Sequence, residues 1–318
     1  MSWLTDVFSN AQQTLFEAAV QPLLFAFGFG NLLEDGFAAT AWLLVGLLQI
    51  AALLLLIGPL QRWRPVEAVT DRATIRTDVF YTLLHRLGAF RLLLFFTLEP
   101  VFDSVFGRLR AAGMGTFHLD QIWPGVTDIA LVSLVIYLVA FDFVNYWIHR
   151  GQHQIGWWWR LHALHHAQRQ MTMWSDNRNH LFDDLLVDVI VVLVAQLIGV
   201  PPGQFIAIVA LTQLSESFQH ANVRIGFGHI GERLWVSPRF HRLHHAIGLG
   251  HESAGRNTLG GSNFSVLLPV WDMLFATARF EQRYEPTGVR DQVEKGRDYG
   301  RGFVAQQWLG LKRLAGRA

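Results

Sequence analysis

Long apolar runs alternate with polar segments along this chain. Residues 41–60, AWLLVGLLQIAALLLLIGPL, contain no charged side chain, and residues 126–148 form a second long apolar run. About twenty apolar residues are enough for a helix to cross the hydrocarbon core of a bilayer. Both runs therefore predict membrane-spanning helices. Residues 79–99 are also apolar but carry three basic side chains, which predicts a span that packs against protein rather than lipid.

The apolar segment at residues 185–219 is interrupted by Val200-Pro201-Pro202-Gly203. Each half is short for a full crossing, and Pro and Gly together mark turns. We therefore predict a helical hairpin that returns the chain at His220. Residues 15–33 are interrupted by polar side chains and glycines, and they predict a helix at the membrane interface. No run in residues 221–318 is long and apolar enough to span.

These elements predict an all-α, polytopic membrane bundle with three regions. Residues 1–124 would form an N-terminal membrane region, with spans at about 41–60 and 79–99 and a glycine-rich loop after them. Residues 125–280 would form a central domain with the third span and the hairpin. Residues 281–318 would form a tail ending in a basic amphipathic helix, a type that lies on membrane surfaces.

The distribution of basic residues predicts the orientation of this bundle. Three spans and a hairpin place residues 61–78, 149–182 and 220–318 on one side of the membrane. All but four of the 26 Lys and Arg residues lie on that side. The exceptions are Arg86 and Arg91 in the second span and Arg108 and Arg110 on the opposite side. An excess of basic residues marks the cytoplasmic face.

Composition agrees with an integral membrane protein. Hydrophobic residues make up 51% of the chain and charged residues 16%, whereas soluble domains carry about 25% charged residues. The chain has no cysteine, which excludes disulfides, thiolate metal sites and cysteine nucleophiles within it. The net charge of +1 provides no overall field that would attract nucleic acid. The first forty residues lack Lys and Arg, so no cleavable signal peptide is expected.

Nine of the fourteen histidines fall in two clusters. The first cluster lies in residues 149–166, HRGQHQIGWWWRLHALHH, and the second comprises a single histidine and the motif FHRLHH. Their members are His149, His153, His162, His165, His166, His220, His241, His244 and His245. Spacings of three and four place side chains on one helical face. Imidazole suits Fe, Zn, Cu and Ni. Nine donors exceed the needs of one ion, so we predict two metal ions.

The remaining histidines are less informative. His85, His118 and His229 are isolated, which is typical of surface or core residues, and we do not expect them to bind metal. His180 and His251 lie close to the clusters. Each could be a further ligand, a hydrogen-bonding support or a loop residue.

A ligating histidine usually donates its second N–H to an acceptor. Asp142 lies seven residues before His149, two helical turns away on the same face, and we predict that it supports a ligand rather than capping or bridging helices. Four other carboxylates are weaker candidates for this role: Asp176, Asp183, Asp184 and Asp272. The adjacent Trp157, Trp158 and Trp159 cannot share one helical face, and they predict an interfacial anchor or, alternatively, a substrate groove wall.

Five phrases of the sequence, taken in order, resemble one known superfamily. They are FDFVNYWIHRGQH, LHALHH, FQHANV, SPRFHRLHHA and NFSVLLPVWDMLFAT, and they cover about residues 142–277. This combination is similar to the fatty acid hydroxylase / sterol desaturase superfamily of membrane-embedded, histidine-rich di-iron oxygenases. The resemblance implies that the nine clustered histidines are the ligands of two iron ions at the cytoplasmic face. It also implies that residues 125–280 form the catalytic domain.

The resemblance also implies a reaction and its partners. Members hydroxylate or desaturate fatty acyl chains, sterols and related lipids with O2, so the substrate would enter from the bilayer. Electrons would come from a separate cytochrome b5- or ferredoxin-like protein, since the chain shows no haem or flavin motif. Four arginines could attract an acidic donor, although a general cytoplasmic bias explains them more simply: Arg224, Arg233, Arg239 and Arg242.

Two positions depart from the superfamily pattern, and one matches it. Glu216 stands where some members carry a histidine four residues before the one that matches His220. It could be a carboxylate ligand, an acceptor for His220 or an ordinary helix residue. Ala276 replaces the usual glycine of the motif WDMLFAT. Asn263 matches a superfamily asparagine and is a candidate support for a ligand.

A membrane metal transporter, storage protein or sensor is the competing hypothesis. Transporters hold ions near the bilayer midplane in broken helices. The histidines here lie at the predicted span ends and in polar segments, which favours the oxygenase.

Overall fold

The computed structural model describes residues 2–317, and within them the protein is helical and contains no β-strand. This confirms the all-α prediction. The α-helices are α1 (Ser2–Leu15), α2 (Gln21–Ala26), α3 (Leu33–Ala52), α4 (Gly58–Trp63), α5 (Arg72–Arg86), α6 (Ala89–Thr97), α7 (Glu99–Ala111), α8 (Ala130–Gln154), α9 (Gly156–His166), α10 (Leu181–Ile198), α11 (Pro202–His220), α12 (Gly228–Gly231), α13 (Pro238–His244), α14 (Val270–Leu274), α15 (Arg290–Glu294) and α16 (Phe303–Leu314).

Two helices of the described chain are long and apolar enough to cross a membrane. One runs over Gly30–Trp63, where α3 and α4 continue each other through a wider turn at Leu53–Ile57, and the other is α8. The predicted spans at 41–60 and 126–148 fall within these two helices, apart from the first residues of the second.

The second predicted span differs from the structure. Residues 79–99 are not one helix, because α5 ends at Arg86 and α6 begins at Ala89. The break contains Gly88 in the left-handed conformation, with φ of +82°, which glycine adopts readily because it has no Cβ. After the second predicted span, Pro100 lies in the first turn of α7, where proline is well tolerated. The first part of the predicted glycine-rich loop is therefore helical.

The structure contains a hairpin at residues 185–219, formed by α10 and α11. Gly199 ends α10 in the left-handed conformation, and Pro202 opens α11. The Tyr137 hydroxyl of α8 donates to the carbonyls of Ile198 and Gly199, at 3.2 and 3.1 Å. This contact fixes the turn of the hairpin against α8.

The chain divides into two compact units. The first comprises Met1–Leu55 with Leu83–Gly113. In it the buried Arg86 donates to Gln49 at 3.2 Å, and Gly46 abuts the carbonyl of Arg86 so closely that a Cβ would lie 1.7 Å from its oxygen. Because no other residue lacks a Cβ, this contact explains the glycine at position 46.

The second unit comprises Leu56–Thr82 with Met114–Ala318 and contains all nine clustered histidines. Residues 61–78 contact the chain just after His220 in this unit, because Asn222 accepts from the backbone of Val66 and Glu67, at 3.0 and 3.1 Å. The final helix, α16, packs against α9, and Arg313 donates to the carbonyl of Arg160 at 3.3 Å. The predicted tail is therefore part of the histidine-bearing unit.

Candidate metal centre

In space the nine histidines group differently from their order in the sequence, and four of them, from α8 and α9, form what we call the first cluster from here on. His149 and His153 are four residues apart on α8, and His162 and His166 are four apart on α9, so each pair shares one face of its helix. Ile155 is extended between the two helices, which lets α9 fold back toward α8. One nitrogen from each of the four buried side chains lies within 4.8 Å of the others.

A second cluster of four joins three parts of the chain. It contains His165 of α9, His220 at the end of α11, His241 of α13, and His245 immediately after α13. The Nε2 atom of His220 lies 3.1 Å from those of both His165 and His241, and the Nε2 atoms of His241 and His245 are 3.2 Å apart. The hairpin is what returns His220 to this position.

These nitrogen separations suit a metal ion. With metal–nitrogen bonds of about 2.1 Å, neighbouring ligand nitrogens lie about 3.0–3.4 Å apart in octahedral or tetrahedral geometry. The measured Nε2 contacts fall within that interval.

His244 connects the two clusters. Together with His166 of the first and His245 of the second, it forms a third group whose nitrogens lie within 4.8 Å of one another. The fold therefore brings all nine predicted ligands into one buried centre. That they bind metal remains a prediction.

The chemistry of these side chains fits a metal. Outside the candidate spans, burial lowers the pKa of five of them well below the usual value, because loss of water disfavours the charged imidazolium. They are His165, His166, His241, His244 and His245. Their imidazoles are consequently neutral and keep a lone pair for a metal.

Several buried nitrogens of the centre have no hydrogen-bond partner among the described residues, including both of His153, both of His166, and the Nε2 atoms of His162 and His244. Unpartnered buried polar atoms are rare in folded proteins. A metal ion bound to the lone pair would account for one such nitrogen on each ring.

Backbone carbonyls orient three of the histidines. His149 Nδ1 donates to Phe264, His244 Nδ1 to Ser262, and His220 Nδ1 to Glu216, each at 2.8 Å. A carbonyl can only accept, so Nδ1 carries the hydrogen and Nε2 is left with the lone pair.

Asp183 orients the fourth, because its carboxylate lies 3.0 Å from His162 Nδ1. The same carboxylate accepts from Gln152 Nε2 at 2.8 Å and from Trp158 Nε1 at 2.7 Å. Sequence reasoning rated Asp183 below Asp142, although Asp183 makes the contact expected of a supporting residue. Its place in the first turn after His180, with an apolar helix following, gave no signal that set it apart from Asp184.

Asp142 has a different role from the one predicted. Its carboxylate accepts from the backbone of Leu267 and Leu268, at 2.8 and 3.0 Å, and from Trp271 Nε1 at 2.9 Å, instead of from a ligating histidine. Two adjacent N–H groups and an indole satisfy a carboxylate more fully than one imidazole could. Asp142 thereby holds the segment after Phe264, and so positions His149 indirectly.

Asp272 and Asn263 hold the same segment. Asp272 accepts from the backbone of Phe264 and Ser265, at 2.9 and 2.8 Å. Asn263 has φ of +61°, and its amide donates to the carbonyl of Phe240 on α13 at 3.0 Å. We call residues 262–268 the carbonyl segment, because it supplies the acceptors for His149 and His244.

Glu216 contacts His220 through its backbone carbonyl. Its carboxylate is absent from the groups of close metal-ligand atoms found among the described residues. The Asp176 carboxylate accepts from the hydroxyl of Ser217, on the helix α11 that also carries Glu216, at 2.7 Å.

Of the two undecided histidines, His180 uses both ring nitrogens elsewhere. Its Nδ1 accepts from the backbone of Phe182 at 3.2 Å, and its Nε2 donates to the carbonyl of Gln307 at 2.9 Å. It therefore caps the N-terminus of α10 and forms a hydrogen bond with α16. His251 is buried and stacks on Trp159 with 5.4 Å between ring centres, and it lies outside the three histidine groups.

The three consecutive tryptophans have three different environments. Trp157 is 48% exposed, as an interfacial anchor would be, and stacks on Trp158. Trp158 is buried and bonds Asp183. Trp159 packs against His153 and His166, at 5.0 and 5.4 Å between ring centres. The prediction of an interfacial anchor therefore fits Trp157 but not Trp158, which is buried, or Trp159, which packs against the histidines.

Comparison with known proteins finds one matching family and several relatives. Residues 134–277 match the model of the family described as fatty acid hydroxylase. The chain is 27% identical to the ornithine lipid hydroxylase of Rhizobium tropici over 83% of its own length and 74% of that protein. It is 26% identical to the alkylglycerol monooxygenase of Caenorhabditis elegans over 46% of its length and 26% of that protein.

A fatty acid hydroxylase from Lecanicillium is 24% identical over 52% of this chain and 46% of that protein. No solved structure matches the chain. The chain thus covers most of one relative but less than half of the other two.

The family match begins inside α8 and ends at Thr277, so it includes all nine histidines, the hairpin and the carbonyl segment. Residues 134–277 therefore form a fatty acid hydroxylase domain, and the relatives above are named as lipid hydroxylases or monooxygenases.

Proposed function

We propose that this protein is a membrane-bound di-iron oxygenase that hydroxylates or desaturates a C–H bond of a lipid. The two four-histidine clusters joined by His244 carry this proposal. Hydroxylation converts R–H, O2, two electrons and two protons into R–OH and water. Iron would supply the oxidant, since no side chain can attack an unactivated C–H bond.

The protein's residues hold the metals and keep the centre dry. The first ion would be held by His149, His153, His162 and His166, and the second by His165, His220, His241 and His245. His244 lies where it could serve either ion. Phe264, Ser262 and Asp183 fix the rings by accepting their second N–H groups, and the burial of all nine side chains excludes water.

A lipid is the substrate class that the relatives support. Their names specify ornithine lipid, alkylglycerol and fatty acid. Two helices able to cross a membrane would place the centre next to a bilayer in which such molecules are concentrated. We infer a multi-pass arrangement with the centre on the cytoplasmic face, where a cytochrome b5- or ferredoxin-like protein would deliver electrons.

A metal transporter is the weaker alternative. The first cluster begins at His149, near the end of α8, and the other histidines follow on shorter helices. Nine buried ligands outside the middle of the candidate spans provide no path across the bilayer.

The test is to purify the protein in detergent with its lipids, count iron per chain, and follow O2 uptake with a reductant. Mass spectrometry of extracted lipids should show a gain of one oxygen or a loss of two hydrogens. His165→Ala should lose iron and activity, while His229→Ala should keep both, because His229 is exposed. About two irons without any change in the lipids would refute the oxygenase.

A further inference from the structure

A polar cleft of about 420 Å³ lies within the second unit. Its charged lining residues are Glu67, Arg224, Arg242 and Arg283, with Tyr284 between them. Cavities of this size are typical of small-molecule sites. The lining contains three arginines and one glutamate, and Glu285 pairs with Arg283 at 2.7 Å, so positive charge remains in excess.

Arg224 is the cation in this cleft without an acidic partner. Its guanidinium donates to the carbonyls of Pro65 and Val66, at 3.3 and 3.1 Å, and lies 5.5 Å from the centre of the Tyr284 ring. Among the described residues, no carboxylate is within ion-pair distance of it. Because an arginine stays charged and has five N–H donors, Arg224 can still bind an anion.

Arg242 connects the cleft to the metal centre. It is 5% exposed, and it donates to Glu67 at 2.8 Å and to the carbonyl of Glu285 at 3.0 Å. It follows His241 directly on α13, with about 3.8 Å between consecutive Cα atoms. A group bound in the cleft therefore lies against the helix that carries two ligands of the centre.

The cleft also lies close to the end of a candidate span. The helix Gly30–Trp63 ends four residues before Glu67, so the two are at most about 14 Å apart along the chain. Trp63 is 75% exposed and is flanked by Arg62 and Arg64. Exposed tryptophan with arginine is typical of the membrane interface, the depth at which lipid headgroups lie.

We propose that this cleft binds the anionic part, phosphate or carboxylate, of the headgroup of the lipid substrate, a proposal that rests on the oxygenase function above. Arg224 and Arg283 are exposed and donate hydrogen bonds to the anion. Arg242 is buried in the lining and adds positive charge. A headgroup held there fixes the lipid relative to α13, so the cleft selects lipids with anionic or zwitterionic headgroups over neutral ones.

Binding of short-chain lipids to the iron-loaded protein in detergent tests this site. The probes are dioctanoyl phosphatidylglycerol, neutral dioctanoylglycerol and inorganic phosphate, with titration calorimetry as the readout. The wild type should bind the phospholipid at least tenfold more tightly than either other probe. The double variant Arg224→Gln/Arg283→Gln should lose about tenfold in affinity for the phospholipid and little for dioctanoylglycerol.

The double variant Arg233→Gln/Arg256→Gln is the matched control, since it removes the same two charges from exposed arginines outside the cleft. Unchanged affinity in the double variant would overturn the proposal. An equal loss of phospholipid affinity in the control would also overturn it, because the loss would then reflect only the overall positive charge of the protein. So would equal affinity of the wild type for inorganic phosphate and for the phospholipid, because the cleft would then be a site for free anions. If the electron-donor protein reduced the iron of the double variant more slowly while lipid affinity stayed unchanged, the cleft would bind the electron-donor protein and not the lipid.

Iron content and lipid oxidation by the wild type are measured separately, so this site and the oxygenase function can fail independently. Iron content of the double variant should equal that of the wild type, because neither arginine contacts a clustered histidine.

Discussion

At the scale of single residues, Asp183 is a carboxylate that contacts a clustered histidine directly. One carboxylate accepts from a ligand candidate on α9, from Trp158 of the same helix, and from Gln152 of α8. It therefore fixes the angle between the two helices of the first cluster as well as the ring of His162. Such supports commonly contribute about 10- to 100-fold to metal affinity.

Asp183→Asn should lower iron retention about 10- to 100-fold. The amide keeps one acceptor oxygen but turns an NH2 group toward donors that need an acceptor. Competition with a chelator, followed by iron analysis, measures the effect. Asp184→Asn is the control, because it makes the same change one residue away, and equal loss in both variants would contradict this role.

At the scale of elements, the sequence predicted the histidine-bearing helices well and their supports poorly. Spacings of three and four identify a helical face, so the candidate ligands in residues 149–166 and 241–245 could be predicted to converge, and the structure brings them together. The break at Gly88 was missed because one glycine in an apolar run does not reveal whether the helix stops. The acceptors at Ser262 and Phe264 were also missed, because a backbone carbonyl has no residue identity.

The loop after α13 depends on glycines that fit against the ligand helix. A Cβ on Gly250 would lie 1.4 Å from the carbonyl oxygen of His244, and a Cβ on Gly261 would lie 2.0 Å from that of Gly250. The loop therefore packs directly on α13 and delivers the chain to Ser262, which orients His244.

Gly250→Ala should lower both melting temperature and iron content. Forcing a methyl group into a packed region costs about 1–3 kcal/mol, and here the strain displaces His244. Calorimetry with iron analysis gives both quantities. Gly203→Ala is the control, since a Cβ there meets nothing within 4 Å. If Gly250→Ala kept full iron, the loop would not position the centre.

At the scale of the whole molecule, the arrangement across the membrane is a prediction that the chain makes easy to test. It contains no native cysteine, so a single introduced thiol can be labelled without background. The predicted topology would place residues near the centre in the cytoplasm and the segment before α8 on the opposite side.

In intact cells, an impermeant maleimide should label Met114→Cys but not Ala254→Cys, whereas both should react after lysis. Both native side chains are exposed, so each thiol would be accessible to the reagent. The reverse pattern would invert the topology.

Metal-free protein should become less stable as pH falls from 7 to 5. Burial lowers the pKa of His165, His166 and three other clustered histidines, while the unfolded chain titrates near 6.5. Below that pH the unfolded state binds more protons than the folded state, so stability rises with pH. Melting temperatures of chelator-treated protein across this range measure it, and a flat profile would contradict burial of neutral imidazoles.

The source of the acceptors has a consequence for how this centre can diverge. Three of the four ring-orienting contacts come from main-chain oxygens, at Glu216, Ser262 and Phe264. A main-chain oxygen persists whatever side chain the codon specifies. Mutation at these positions can therefore alter the side chains around the centre while leaving the contacts in place. The fourth contact, made by the side chain of Asp183, can be lost through a single base change.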